Sequence, residues 1–230
     1  MQADARSWVL DHSVERCGSL SLMQEIYMLA DLILISRFAT KPGLATYLAA
    51  AMPSAPKRSV LCALDNDEVV TLEAMPSDMT MDGIREQLTG VAANFAHYLC
   101  ADVRRELLEF VEAPKPCAEL FPDTPYVQLR HVEVKPDMMA QYRGWRDETI
   151  FDVVRGSDEI STFSAYHSVI SGQPGVMFIS GFSVEPEDYR KIFESDRYQS
   201  IVRQAGDRYI TGGTTGLYTK IYRVEAAQAA

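Results

Sequence analysis

One order of elements occurs twice in this chain and limits what it can become. The strand-forming run Leu32-Ile33-Leu34-Ile35-Ser36-Arg37-Phe38 stops at Lys41-Pro42-Gly43. The run Val127-Gln128-Leu129-Arg130-His131-Val132-Glu133-Val134 stops at Lys135-Pro136-Asp137. Aliphatic and β-branched residues suit a pleated surface, and proline ends a ladder because it has no N–H to give. In both places a helical pattern follows, then a strand hairpin, a second helical pattern and a last strand.

In the first half, residues 44–52 read as a short helix closed by Pro53 and Pro56. Residues 60–64 and 68–73 form a hairpin around Asp65-Asn66-Asp67, whose side chains can bond their own backbone. Met81, Ile84, Leu88, Val91 and Phe95 recur at steps of three and four, which predicts one helix with an apolar face. Residues 106–111 supply the last strand. In the second half, Met138, Tyr142, Trp145 and Thr149 open a helix that reaches about residue 154. Strands follow at 162–170 and 176–182 around the turn 171–175. Pro186 starts the next helix, carrying Tyr189, Ile192 and Phe193, and Gly206 is its expected stop. Residues 217–224 are the last strand.

The order β-α-β-β-α-β is the ferredoxin-like, split βαβ arrangement. It predicts an α+β fold of two tandem ferredoxin-like units. Each is a four-stranded antiparallel sheet with its helices on one face. The bare faces need cover, and packing the sheets face to face as an α+β barrel supplies it within one chain. The expected division is an extension with a short helix at 1–30, a first unit at 31–112, a linker at 113–125, a second unit at 126–225 and a tail at 226–230. Ser21 and Gln24 have capping-box spacing for the early helix. The linker holds Pro114, Pro116, Pro122 and Pro125, which stiffen it. Sheet edges invite pairing, which raises the expectation of a homodimer.

Charge and motifs narrow the function. The chain has 22 basic and 32 acidic side chains, a net of −10, and both halves are acidic. A surface that tracks phosphates needs clustered Lys and Arg, so nucleic acid is not an expected partner. The most apolar stretch, 20–38, is interrupted by Glu25, Asp31 and Arg37, whereas a membrane span needs about 20 nearly uncharged residues. No secretory signal is visible at the N-terminus, and the four cysteines lack CxxC spacing. A cytoplasmic protein with reduced thiols is expected. Zinc-ligand spacing, a P-loop and a GxSxG elbow are missing from the sequence.

Of four histidines, His12 lies in a polar segment and His97 near a helix end, where a structural role suffices. His131 and His167 sit inside strands. Alternation puts His131 on one face with Leu129 and Glu133, and Arg130 on the other. It pairs His167 with Phe163 and Ala165, and sets Tyr166 opposite. Which parity lines a pocket stays open, as does the plainer role of a hydrogen-bonded packing histidine. Tyr142 and Trp145, three apart on a helix, can anchor it on the sheet or wall a flat aromatic pocket, with Arg143 or Arg146 holding an anionic oxygen. Aligned on Lys-Pro, Arg37 falls opposite His131, so the units are not chemically equivalent. The second unit is the expected home of any pocket.

The second unit resembles the dimeric α+β barrel superfamily, which includes antibiotic-biosynthesis monooxygenases, EthD-like and NIPSNAP-like proteins. The resemblance rests on Leu129 to Pro136, a strand running into a Lys-Pro helix start. It also rests on Glu194-Ser195-Asp196-Arg197-Tyr198, similar to an S-x-x-Y stretch common there. It spans roughly residues 126–224, and the first unit matches in element order. It implies a small-molecule enzyme or binding barrel acting on a flat aromatic or polyketide-like compound. Cofactor-independent oxygenation of an electron-rich phenol is the reaction it suggests. His131 or His167 would then act as base, and Arg130 or Arg146 would stabilise the anion. Tyr142, Trp145, Arg146 and Tyr166 would contact substrate. No cofactor is needed in that reading. The alternatives are a haem-binding, chlorite dismutase-like protein with a histidine ligand to iron, and a non-catalytic assembly or sensing module.

Overall fold

The computed structural model describes residues 29–53, 55–173 and 175–225. The expected early helix at Ser21–Gln24, His12 and the tail 226–230 lie outside the described residues. The first unit contains β1 (Leu32–Ala39), α1 (Ala45–Ala51), β2 (Arg58–Ala63), β3 (Glu68–Met75), α2 (Met81–Leu88), α3 (Val91–Asn94) and β4 (Arg104–Lys115). The second contains β5 (Tyr126–Val132), α4 (Met139–Glu148), α5 (Ile150–Gly156), β6 (Thr162–Ile170), β7 (Val176–Phe182), α6 (Pro186–Glu194), α7 (Asp196–Arg208) and β8 (Leu217–Val224).

All eight strands form one closed antiparallel barrel in the order β1-β3-β2-β8-β5-β7-β6-β4. Each half keeps the ferredoxin-like order, β4-β1-β3-β2 in the first unit and β8-β5-β7-β6 in the second. Two seams join the halves. One pairs Leu61, Cys62 and Ala63 with Val224, Arg223 and Tyr222. The other runs from Leu107–Ile170 to Lys115–Phe163 and carries register shifts. The sheet edges that suggested a dimer are therefore paired inside the chain.

The alternation of each strand divides the core into layers. Inside the barrel pack Ile33, Ile35, Leu61, Val70, Leu72 and Leu129 with Tyr166 and Tyr222. Outside, the second unit buries Tyr142, Phe151, Phe163, Phe178 and Tyr189 between helices and sheet. Each such side chain contributes about 1.5–3 kcal/mol through its burial. The first unit has a smaller outer layer around Phe38, Leu48 and Val69. The barrel has one stopped end. There Leu120 and Phe121, from the proline-rich segment, pack against the interior cluster, and β4 itself continues through Pro114 to Lys115.

Three helices differ from expectation. The run from Met81 to Phe95 is two helices, because Gly90 takes φ +80° and starts α3 afresh. Its apolar stripe is shallow: α2 buries no residue fully, and Met81 is 71% exposed. The helix from Met139 breaks at Thr149, whose hydroxyl donates to the Trp145 carbonyl at 2.6 Å, a back-bond that bends helices. Gly206 is no stop. It is buried within α7, which runs on to Arg208. The Asp65-Asn66-Asp67 turn forms as expected, and Asn66 Oδ1 also accepts the Thr46 amide at 3.0 Å, steadying the start of α1.

Candidate functional site

The open end of the barrel is polar. β1 carries Ile33 and Ile35 inward, and the next inward position is Arg37. Arg37 Nε donates to Glu106 Oε1 at 3.2 Å, and Nη1 donates to the Tyr222 hydroxyl at 3.0 Å. Tyr222 donates in turn to Glu68, which lies 3.5 Å from Arg37 and 3.7 Å from Lys220. Burial opposes the Arg37 charge, yet the carboxylates of Glu68 and Glu106 outweigh it and hold the guanidinium above its ordinary pKa. Tyr222 is pushed up chiefly by burial, so its phenol stays protonated and acts as a donor. A cleft of about 620 Å³ opens at this mouth, lined by Arg37, Glu68, Arg105, Glu106, Gln173 and Tyr218 among others. Most of these residues belong to the first unit, whereas the second was the expected home of a pocket.

The candidates drawn from the sequence fall into separate environments. His131 faces the barrel interior and is 7% exposed. Its Nε2 donates to the Gln173 carbonyl at 2.9 Å. Tyr166 is also interior, packed edge-on against Phe110, and burial pushes its phenol up. His167 lies outside the barrel beneath α4. Its Nε2 is buried without a partner, and burial, then Arg146 and Arg143, push its pKa down to about 4. Arg146 is fully buried. It bonds Glu112 and sits among the rings of Tyr142, Phe151 and Phe178. Tyr142 is fully buried too, and Trp145 stacks at a tilt on Tyr209. Tyr142 and Arg146 thus hold α4 and α5 on the sheet and do not wall an open pocket.

Arg130 is different. It projects outward from β5, with Nε donating to Thr219 at 3.1 Å and Nη1 bonded to the Tyr198 hydroxyl. Its guanidinium lies 4.9 Å from the Phe193 ring centroid and 5.5 Å from that of Tyr198. Ser195 places Tyr198, because its hydroxyl caps α7 by accepting the Tyr198 amide at 3.3 Å. Arg130 borders two spaces. One is an open cleft of about 450 Å³ shared with Gln128, Phe193, Gln199, Thr219 and Lys220. The other is an apolar space of about 20 Å³ behind it, between helices and sheet.

That inner space bears on where a haem could sit. Room for about one water needs roughly 10–15 Å³, so about 20 Å³ does not take a macrocycle. His167 is partly exposed, with Nε2 buried, and His131 is turned into the barrel. The second unit's helix–sheet layer does not fit haem. Among the described residues, no group of three or more His, Cys, Asp or Glu could hold a metal ion. Among the same residues, no helix is long and apolar enough to cross a membrane.

Sequence reading missed Glu68, Glu106 and Tyr222 as a set, and the role of Phe193 and Tyr198 beside Arg130. The available signal was parity. Arg37 follows Ile33 and Ile35 at period two, and Glu106 precedes Leu108, so both charges stand in inward rows.

No protein-family model matches this chain, and no curated protein matches it. Solved structures do. A protein described as anthrone oxidase-like superposes with a TM-score of 0.53 at 13% identity, covering 86% of this chain and 94% of that one. A proposed monooxygenase from Fusobacterium nucleatum gives 0.56 at 10% identity, over 85% and 93%. A proposed chlorite dismutase gives 0.55 at 11%, over 85% and 96%. The fold these structures share with this chain is an α+β barrel with a closed antiparallel sheet. Both halves of that barrel are present here in a single chain, and identities this low carry the fold alone.

Proposed function

We propose that this α+β barrel is a small-molecule enzyme or binding protein whose ligand is a flat aromatic compound with an ionisable oxygen, held in the Arg130 cleft. One observation carries the reading. The Arg130 guanidinium is fixed by Thr219 and Tyr198, flanked by the Phe193 ring, and borders a cleft of about 450 Å³. Ligand clefts commonly measure about 300–1,000 Å³, with few polar groups fixing orientation. A ring system would lie against Phe193, and Arg130 would stabilise a phenolate or enolate oxygen. The likeness to an anthrone oxidase-like protein and a proposed monooxygenase supports cofactor-independent oxygenation as the reaction. In that chemistry the ionised ring carbon gives electrons to dioxygen; one oxygen atom bonds that carbon, the carbon loses two hydrogens, and these leave with the other oxygen atom as water. Neither His131 nor His167 shares the cleft with Arg130, so the proton goes to solvent or to one of the two carboxylates that line it, Asp65 and Glu194.

The test uses 1,8-dihydroxyanthrone, with binding followed by Trp fluorescence and turnover by oxygen uptake. Arg130→Met should weaken binding by about tenfold or more, the loss of a charge-assisted hydrogen bond. Arg130→Lys should recover only part of it, since a point charge cannot reproduce the planar fork. The melting temperature should stay within a few degrees. Unchanged affinity in Arg130→Met refutes the assignment. Binding without oxygen uptake reduces the reading to a binding protein.

A further inference from the structure

The larger cleft, at the barrel mouth, shares no lining residue with the Arg130 cleft. Glu106 is its most confined member, with a side chain 9% exposed. Oε1 accepts from Arg37, but Oε2 is buried and has no hydrogen-bond partner. A buried carboxylate oxygen without a donor is costly. Two positions back along β4, Arg104 shares the inward row with Glu106 and adds an exposed guanidinium to the cleft, whereas Arg105, opposite Ser36, stands on the other face of the strand. β4 pairs with β6 from Leu107 onward. Residues 104–106 thus extend past the end of that pairing and line the cleft together with the loop 171–173. Tyr218 offers an exposed ring, 46% accessible, on the same cleft.

The lining is balanced. Arg37, Arg104 and Arg105 line it together with Glu68, Glu106 and Asp102. Such a surface favours a ligand with no net charge but with both signs on it, over a bare anion or a bare cation. An acceptor lacking a donor, an exposed guanidinium and an aromatic face are the three contacts an aromatic amino acid makes. We propose that the barrel mouth is a second small-molecule site, for an amphoteric ligand of the amino-acid class. Its ammonium bonds Glu106 Oε2, its carboxylate bonds Arg104, and its ring packs on Tyr218. The cleft, at about 620 Å³, holds such a molecule together with its residual water.

Calorimetric titration of the full chain with three probes tests this. L-phenylalanine carries both charges, phenethylamine only the ammonium, and 3-phenylpropanoate only the carboxylate. L-phenylalanine should bind tightest. Glu106→Gln should weaken L-phenylalanine and phenethylamine by about tenfold and leave 3-phenylpropanoate alone. Arg104→Met should do the reverse, and Arg130→Met should change none of them. Glu106 also anchors Arg37, so melting curves accompany Glu106→Gln, and Arg104→Met on an exposed side chain decides the matter if that variant does not fold. The proposal is overturned if L-phenylalanine does not bind at millimolar concentration, or if Arg104→Met leaves its affinity unchanged. It is also overturned if a crystal soaked in L-phenylalanine shows only ordered water on Glu106 Oε2.

Discussion

Arg146 and Glu112 should respond very differently to removal, although they bond each other. Arg146 is fully enclosed, with the rings of Tyr142, Phe151 and Phe178 at 5.6, 5.2 and 5.7 Å from its guanidinium carbon. Its Nε and Nη1 have no hydrogen-bond partner. The Glu112 side chain is 33% exposed and also lies 4.0 Å from Arg143. Glu112→Gln leaves a buried cation that cannot reach water. Breaking a buried pair in this way costs about 3–5 kcal/mol, and the surrounding rings retain some attraction, so the lower end, about 3 kcal/mol, is expected. For a chain of this size about 1 kcal/mol moves the melting temperature by about 2–4 °C, giving a fall of about 6–12 °C. Arg146→Met removes the charge and its orphan donors together, and fills the space with a flexible apolar chain. Glu112 then turns to water and Arg143, so the cost should stay below about 1.5 kcal/mol. The double variant should melt near Arg146→Met alone. Urea and thermal unfolding decide it. If Arg146→Met is the more damaging change, or if the two effects add, the reasoning is refuted.

The remaining expectations are shorter. His167, held near pKa 4 by burial and by Arg146 and Arg143, stays neutral in the fold, while the unfolded chain protonates it near 6.5. The unfolded state thus binds more protons between those values, and stability present above about pH 6.5 is lost as pH falls toward about 4. Because the ring is partly exposed, screening reduces the loss to about 1–2 kcal/mol. His167→Asn should flatten that limb of the stability profile, and an unaltered limb would count against the assignment. Gly175, in the β6–β7 turn, has φ +149°, and an added Cβ would lie 2.4 Å from the Val132 carbonyl oxygen. Gly175→Ala should therefore cost at least about 1–3 kcal/mol. A melt indistinguishable from the parent would show that the turn relaxes.

Local signals were readable and distant registers were not. The two Lys-Pro stops, the Asp65-Asn66-Asp67 turn and the strand periodicity place the repeated order, because each depends on neighbours in sequence. Helix continuity was harder. An apolar period from Met81 to Phe95 says nothing about Gly90 adopting a left-handed backbone, and Gly206 gave a false stop because packing inside α7 tolerates it. For the site, alternation correctly sets Arg130 and His131 on opposite faces, but it cannot say which face is the barrel interior. Arg37 meets Glu106 across 69 positions and Tyr222 across 185. Such meetings follow from strand order around the ring, which no local pattern encodes.

Closing the ring within one chain has a consequence for the mouth. β1 and β5 are counterparts, and both end at the open end, so Arg37 and His131 occupy matching places. A barrel assembled from two identical chains would have to present each residue there twice: arginine against arginine, or histidine against histidine. A pair of confined guanidinium groups would repel, and every later substitution would be duplicated across the twofold axis. Joining the halves end to end lifts that degeneracy. One half can present Arg37 with Glu68 and Glu106 while the other presents His131, Tyr218 and Tyr222. A lopsided receptor of this kind can hold a ligand whose two ends differ.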